Sequence, residues 1–398
     1  MSYRPPTTEA HVRRVPAWLY LLAALGIIVG LASFALGLSA PDPAPAWRAL
    51  LINFLFWTSL AQGAFMWSVA FRLARTAWSG WANRLGHSAI WFLGVSVLIF
   101  VGLFVGRRYY LPWMHMDIGD QAIWLNAPFV FLRDGIGLLA LFALGLVYVR
   151  TYLRQDLASP SQREENLPRT KRRLAVLGVM LAFVYTVVAS LIGLDLAMSL
   201  VPQWYGTLFG WYYLIGGLYS GMAALIITTL LLRRWLGVAT LIGRQRLQDM
   251  GNLLMAFAMA MTYFMFAQAL TIWYENLPPE TSWVLPRIHF PPWQTICWVL
   301  VFTCYLGVFA LLVIREVKEN PRALFGVAAL VLLSVWLERY MLVAPSLAPK
   351  YTRFPVLVPL MGVGFLGLLV LTAAPFLARY PAVSPLDEEL VKERAEWQ

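Results

Sequence analysis

A chain of 398 residues that is 60% hydrophobic and only 13% charged sits far from soluble domains, where those shares run about 45–50% and about 25%, and that excludes an ordinary soluble globular protein. The net charge of +11 is spread over many separate segments with no compact nucleic-acid module, so it speaks for membrane topology and anionic lipid and against nucleic acid as a partner.

A hydrocarbon core about 30 Å thick takes roughly 20 residues of helix. Ten apolar stretches of that size follow one another, at 17-38, 48-71, 86-106, 126-149, 174-198, 205-232, 252-274, 293-314, 323-343 and 355-378. The expected fold class is all-α: a polytopic membrane protein of ten transmembrane helices in a single membrane domain (17-378), between an N-terminal segment (1-16) and a tail (379-398). The first stretch follows Arg13 and Arg14 and precedes small residues near Ser39 and Ala40, which is also the outline of a signal peptide. Its apolar run of about 22 residues is longer than the 7–15 of a signal h-region, so it reads as an anchor. Of the 31 Lys and Arg residues, 23 fall in alternate connections together with both termini, six in the other connections, and Arg133 and Arg339 within spans. Positive charge is retained on the cytoplasmic side during insertion, which orients the chain with both termini inside. The longest internal connection, Arg150 to Arg173, is charged and contains Pro160 and Pro168, the marks of a solvated loop. The tail from Leu386 to Gln398 alternates acidic and basic residues at helical spacing, as a short surface helix would.

A charge at the centre of a membrane helix costs about 2.5–3.5 kcal/mol on insertion scales, so the few ionisable residues in the spans carry the search for function. The fourth span opens WLNAPFVFLRDG and places Arg133 and Asp134 about two turns below its outer end. Asp195 stands near the outer end of the fifth, in IGLDLAMSL, without a basic sequence neighbour. Trp204 and Tyr205 follow in PQWYGTLFGWYY, an aromatic run that suits an interfacial belt or the walls of a flat ring. Gln268 and Glu275 occupy the outer part of the seventh span, and Glu338 and Arg339 the outer part of the ninth, in VWLERYML. These residues share one depth, the outer half of the membrane. The adjacent pairs Arg133-Asp134 and Glu338-Arg339 also read as self-neutralising packing features, and Gln268 as a helix–helix hydrogen bond.

Cys297 and Cys304 lie seven apart on one span, about 10.5 Å along a helix, too far for a disulfide. Two thiols are also too few for an iron–sulfur cluster. Of the four histidines, His11, His87, His115 and His289, only His87 adjoins a span, which argues against paired axial ligands for a haem. No phosphate-binding loop, dinucleotide fingerprint or HExxH motif is present. The expectation is a chain that binds no cofactor covalently or through a metal; electron transfer, if it serves any, would use redox centres on partners.

Four blocks, WLNAPFVFLR (124-133), LDLAMSLVPQWYGTLFGWYY (194-213), DMGNLLMAFAMAMTYFMFAQALTIWYENLPPET (249-281) and REVKENPRALFGVAALVLLSVWLERYMLVAPSL (315-347), resemble the F subunit of alternative complex III, a bacterial quinol:electron-acceptor oxidoreductase. That subunit belongs to the NrfD-like, polysulfide-reductase-type membrane superfamily. The resemblance covers nearly all spans, and its IWY-x-N-x-P-x-E-T segment and the Asn-Pro-Arg before the ninth span are more specific than hydrophobic strings. It implies two four-helix bundles, spans two to five (about 48-198) and six to nine (about 205-343), in the bacterial inner membrane. It also implies a sister NrfD-like subunit, an iron–sulfur/molybdopterin-like subunit and cytochrome c subunits as partners, which would carry the haem and iron–sulfur centres. Quinone or quinol would be the ligand.

By position, Asp195 matches the aspartate of the family's D-x-x-M-S-L block, and Arg133 the arginine after Y-L-N-x-P-F-F. Three titratable positions depart from the pattern. Val201 and Gln203 stand where the family has Glu and His, and Asn252 where it has Lys. A continuous proton path is weakened by those losses, which leaves Asp195, Glu338 and Arg339 as the candidate proton-transfer residues. Arg133, Asp134, Gln268, Trp204 and Tyr205 are the residues expected to face a quinone. A purely structural subunit of such a complex and an independent secondary transporter are the alternative readings.

Overall fold

Backbone amides and carbonyls find no partner in hydrocarbon, so an apolar run of membrane length must satisfy them within itself, and helix is the local solution. The computed structural model describes residues 13–76, 78–348 and 355–387, and among them there is no strand. Ten helices are long and apolar enough to cross a membrane: Ala17–Leu38, Ala44–Leu73, Gly80–Val105, Ala127–Leu157, Pro160–Leu200, Phe209–Leu232, Arg244–Glu275, Trp293–Val313, Pro321–Leu347 and Leu357–Arg379. They are numbered here as spans one to ten. Each expected stretch has its helix. The tail expected as a surface helix lies outside the described residues from 388 onward.

One expectation is corrected. The stretch from Arg150 to Arg173 is not a loop: span four continues to Leu157, a helix starts again at Pro160, and only Ala158 and Ser159 intervene. Pro160 occupies the first helical position, where a missing N–H costs nothing. Ser159 accepts from the Gln162 amide while Gln162 returns a bond to the Ser159 amide, a reciprocal cap. Arg163 then donates to the Gln155 and Asp156 carbonyls at 2.9 and 2.8 Å, satisfying acceptors that the end of span four leaves open. Charge and proline here mark helices that outrun the apolar core.

Spans two, three, four and five pack in a ring, spans six, seven, eight and nine in a second ring, and the two four-helix bundles join along spans two and six. Close backbone approach makes that seam. A Cβ on Gly63 would stand 1.9 Å from the Gly217 carbonyl oxygen, and one on Gly221 would stand 2.4 Å from the Ala64 nitrogen. Trp67 donates to the Leu218 carbonyl at 2.8 Å and Tyr213 to the Leu55 carbonyl at 2.9 Å across the same seam. Spans one and ten pair with each other and flank the bundles. Asn53 of span two ties them in, donating to the Val358 carbonyl at 2.9 Å and accepting from Trp336 of span nine at 3.3 Å.

Ten spans put the two ends of the described chain, Arg13 and Asp387, at one end of the molecule, the end that the charge count assigns to the inside. There Arg13 reaches the Leu377, Tyr380 and Leu236 carbonyls, and residues 381–387 fold back over bundle one.

Candidate functional site

Asp195 is fully buried at the outer end of its helix. Arg133 meets it side-on: Nε donates to Oδ2 at 2.8 Å and a terminal nitrogen to Oδ1 at 2.5 Å. A bidentate guanidinium–carboxylate pair fixes orientation as well as charge. Trp124 Nε1 adds a third donor to Oδ1 at 3.1 Å, while the guanidinium lies 3.8 Å from the Trp124 ring centre and 4.7 Å from that of Phe129. Asn126 and Pro128 start span four at this point, so the chain between Trp124 and Arg133 wraps one aromatic cage around one cation. One turn farther out, the Asp195 carbonyl accepts from Ser199 at 2.5 Å, and Ser199 accepts from Trp113 at 3.2 Å.

The guanidinium donates to Asp195 and to the Trp124 carbonyl and not to Asp134, which feels its charge through space. Consecutive helix residues point about 100° apart, and Asp134 turns inward, 1% exposed, with no N–H or hydroxyl donor on either carboxyl oxygen and its carboxyl within hydrogen-bond reach of that of Asp195. It lies within electrostatic reach of Asp195. The expected self-neutralising Arg133-Asp134 pair is thus replaced by one cation between two carboxyls from different helices.

In bundle two the adjacent pair does close on itself, Arg339 standing 3.1 Å from Glu338 Oε2. Tyr212 of span six donates to Glu338 Oε1 at 2.6 Å, and its oxygen is 2.9 Å from that of Tyr305 on span eight. Span eight carries a wide π-type turn at Val301–Gly307. The Tyr305 carbonyl in that turn accepts from Thr262 at 3.1 Å. Such turns recur where a side chain has to be re-aimed, and here Tyr305 is aimed at Tyr212. Arg339 also donates to the Tyr213 carbonyl at 3.1 Å and lies 4.0 Å from that ring's centre. Gly216 leaves it room, since a Cβ there would stand 2.5 Å from the guanidinium.

The expected common depth therefore resolves into two buried clusters, one per bundle, and among the described residues no hydrogen bond or ion pair joins them. Tyr213 is the mechanical link: its ring packs on Gly193, two residues before Asp195, and carries Arg339 on its face.

The five residues expected around a quinone are not gathered in one place. Arg133 and Asp134 belong to the bundle-one cluster. Trp204 is buried and stacked on Trp283, ring centres 4.3 Å apart, a spacing that leaves no slot for a third ring. Gln268 lies half-buried beside Gly206 and Trp204, and Tyr205 turns outward at 66% exposure.

Sequence reasoning missed Tyr212, Tyr305 and Trp124, whose roles depend on contacts between helices, and it missed Arg287. That residue stands on a short surface helix, Pro278–His289, at the outer end. Burial lowers its guanidinium to about 9, with Cys297, Tyr212 and Glu338 opposing, so it stays charged at neutral pH. Also missed was an ionic cluster at the termini end, Arg72, Arg84, Asp156 and Asp387. Its arginines had been counted only as topology signals.

Compared with known proteins, the chain matches no family model and no curated protein sequence.

Proposed function

We propose that this integral membrane protein is a subunit of a bacterial inner-membrane quinol:electron-acceptor oxidoreductase of the alternative complex III type. In this reading partner subunits carry the electrons, and this chain holds a proton-handling site in its outer half. The four sequence blocks quoted above support the family reading. The observation that carries the site is the Arg133–Asp195–Asp134 arrangement, in which one half-buried guanidinium stands by two buried carboxyls. One cation offsets one negative charge, so the charge balance leaves one proton for the pair to hold or release. Quinol oxidation releases two protons with its two electrons, and a positioned carboxyl is the group type that accepts them. The Glu338–Tyr212–Tyr305 chain is the second candidate for the same task.

The bidentate geometry favours a second reading, a purely structural one, because the same contact clamps spans four and five. Asp195→Asn and Asp134→Asn in the assembled complex separate the two. On the proton-handling reading, turnover with quinol falls at least about tenfold while the complex assembles normally. Unchanged turnover and proton release in the assembled variants would sink the proton role. A lower yield of complex with normal turnover per complex would establish the clamp.

A further inference from the structure

Span ten does not release the chain into solvent. Beyond Arg379 the segment Pro381–Asp387 turns back against the termini end of bundle one, with Ala382, Ser384, Leu386 and Asp387 buried. Asp387 accepts from Asn83 at 3.0 Å and from Tyr152 at 3.4 Å and stands 3.8 Å from Arg72, which also donates to the Leu386 carbonyl at 3.1 Å. Ser384 donates to one oxygen of Asp156 at 2.5 Å, and Arg84 donates to the other at 2.5 Å. Gly80, at the start of span three, makes the fit close: a Cβ there would stand 2.9 Å from Val383 and 3.0 Å from the Asp387 Cβ.

Behind this segment runs a column of buried polar groups. The His87 ring, with both nitrogens unpartnered, lies 4.6 Å from the Tyr152 ring and 5.9 Å from that of Tyr148, whose hydroxyl is also unpartnered. Farther along span two, Gln62 and Thr58 are buried without partners too. Buried polar groups are normally satisfied, so a column of this kind gains from contact with water.

We propose that Pro381–Asp387 is a releasable plug, docked over the polar column headed by His87, and that proton uptake at Asp387 favours docking. The groups facing Asp387 are Arg72 from span two, Asn83 and Arg84 from span three, Tyr148, Tyr152 and Asp156 from span four, and His87 beyond them. Burial raises the docked Asp387 carboxyl to about 6 from its ordinary 3.8; Arg72, Arg84 and the Asn83 bond oppose the rise, and Asp156 adds to it. Because the docked state binds the proton more tightly than the released state, docking is strongest in acid and weakens as pH rises through 6. The linkage amounts to roughly tenfold in the docking equilibrium between pH 5 and pH 7.5. The plug does not depend on the function proposed above, and its test uses the chain alone.

The full-length protein is placed in lipid nanodiscs, and modification of His87 by diethylpyrocarbonate is followed by mass spectrometry at a single pH, 7.5. Asp387→Asn presents a permanently uncharged side chain and stays docked, so His87 should react severalfold more slowly than in the unsubstituted protein. Equal or faster modification overturns the proposal. A nitroxide at Pro385→Cys, with Cys297 and Cys304 replaced by Ala, reads docking directly. Its mobile-to-immobile ratio should rise about tenfold from pH 5 to pH 7.5 and stay flat once Asp387→Asn is added. A ratio independent of pH, or one whose pH dependence survives that substitution, also overturns it.

Discussion

Tyr212 and Tyr305 touch through their hydroxyls, yet the two oxygens do different work. Tyr212 donates to a fully buried carboxylate, whereas the hydroxyl of Tyr305 has Tyr212 as its one partner among the described residues. Removing a donor from a buried charged acceptor costs about 1.5–3 kcal/mol, while a neutral side-chain bond inside a membrane bundle is worth about 0.6 kcal/mol. Tyr212→Phe should therefore destabilise the protein severalfold more than Tyr305→Phe in reversible unfolding from bicelles; a reversed order would mean that Glu338 does not depend on Tyr212. At this scale the sequence was half legible. A lone carboxylate in an apolar run announces itself, as Asp195 did, because nothing nearby can neutralise it. Its partner cannot be read the same way: Arg133 is 62 positions away, and adjacency pointed instead to Asp134. For Glu338 and Arg339 adjacency was the right guide, since both side chains are buried together and, among the described residues, no second carboxylate pairs with Arg339.

At the scale of the helix, span nine shows how a break in the hydrogen-bond ladder is repaired from outside. Pro345 lacks the N–H that would reach the Met341 carbonyl, and Arg287 Nε donates to that oxygen at 3.1 Å. A terminal nitrogen of the same guanidinium serves the Leu342 carbonyl at 3.1 Å and Ser346 Oγ at 2.8 Å, while another serves the Trp283 carbonyl. A lysine ammonium is a compact point charge on a flexible stem and cannot span acceptors laid out for a planar fork. Arg287→Lys is accordingly expected to cost nearly as much as Arg287→Met, about 2 kcal/mol or more. Faster amide exchange should be confined to the last two turns of span nine and the surface helix. Full rescue by lysine would show that charge alone matters there. The existence of the ten membrane-crossing helices was legible, because their length and hydropathy are set by the bilayer itself, whereas the surface helix Pro278–His289 was not. The ends were not, since beyond the hydrocarbon a helix is governed by caps such as Ser159 with Gln162, and a proline at the first helical position looks in sequence like a proline in a loop.

At the scale of the whole molecule, glycines decide which helices touch, and they do so at two kinds of seam. Lipid is as apolar as leucine, so spans associate through close packing and hydrogen bonds. At the Gly63–Gly217 seam both are present, together with the Trp67 and Tyr213 bonds. Along the pairing of spans one and ten packing dominates: a Cβ on Gly30 would stand 2.8 Å from the Gly364 Cα, and one on Gly367 would stand 2.4 Å from the Ala23 carbonyl oxygen, while the hydrogen bonds from Arg13 to the Leu377 and Ala378 carbonyls sit at the inner end alone. The outer pair is thus the weaker attachment, and the two seams should fail differently. Gly63→Leu forces backbone apart in the middle of the protein, and little folded material is expected. Gly30→Leu should lower the thermal midpoint by several degrees, for about 1–3 kcal/mol of overpacking, while bundles one and two keep their native protection from exchange. Span ten also delivers Pro381–Asp387 to its dock, so loosening that pair should raise exchange at the plug as well. A Gly30→Leu protein with a loosened plug and unchanged protection around Asp195 and Glu338 would place the hinge of the molecule between span ten and the bundles. Uniform loss of protection would show that the ten spans melt as one unit.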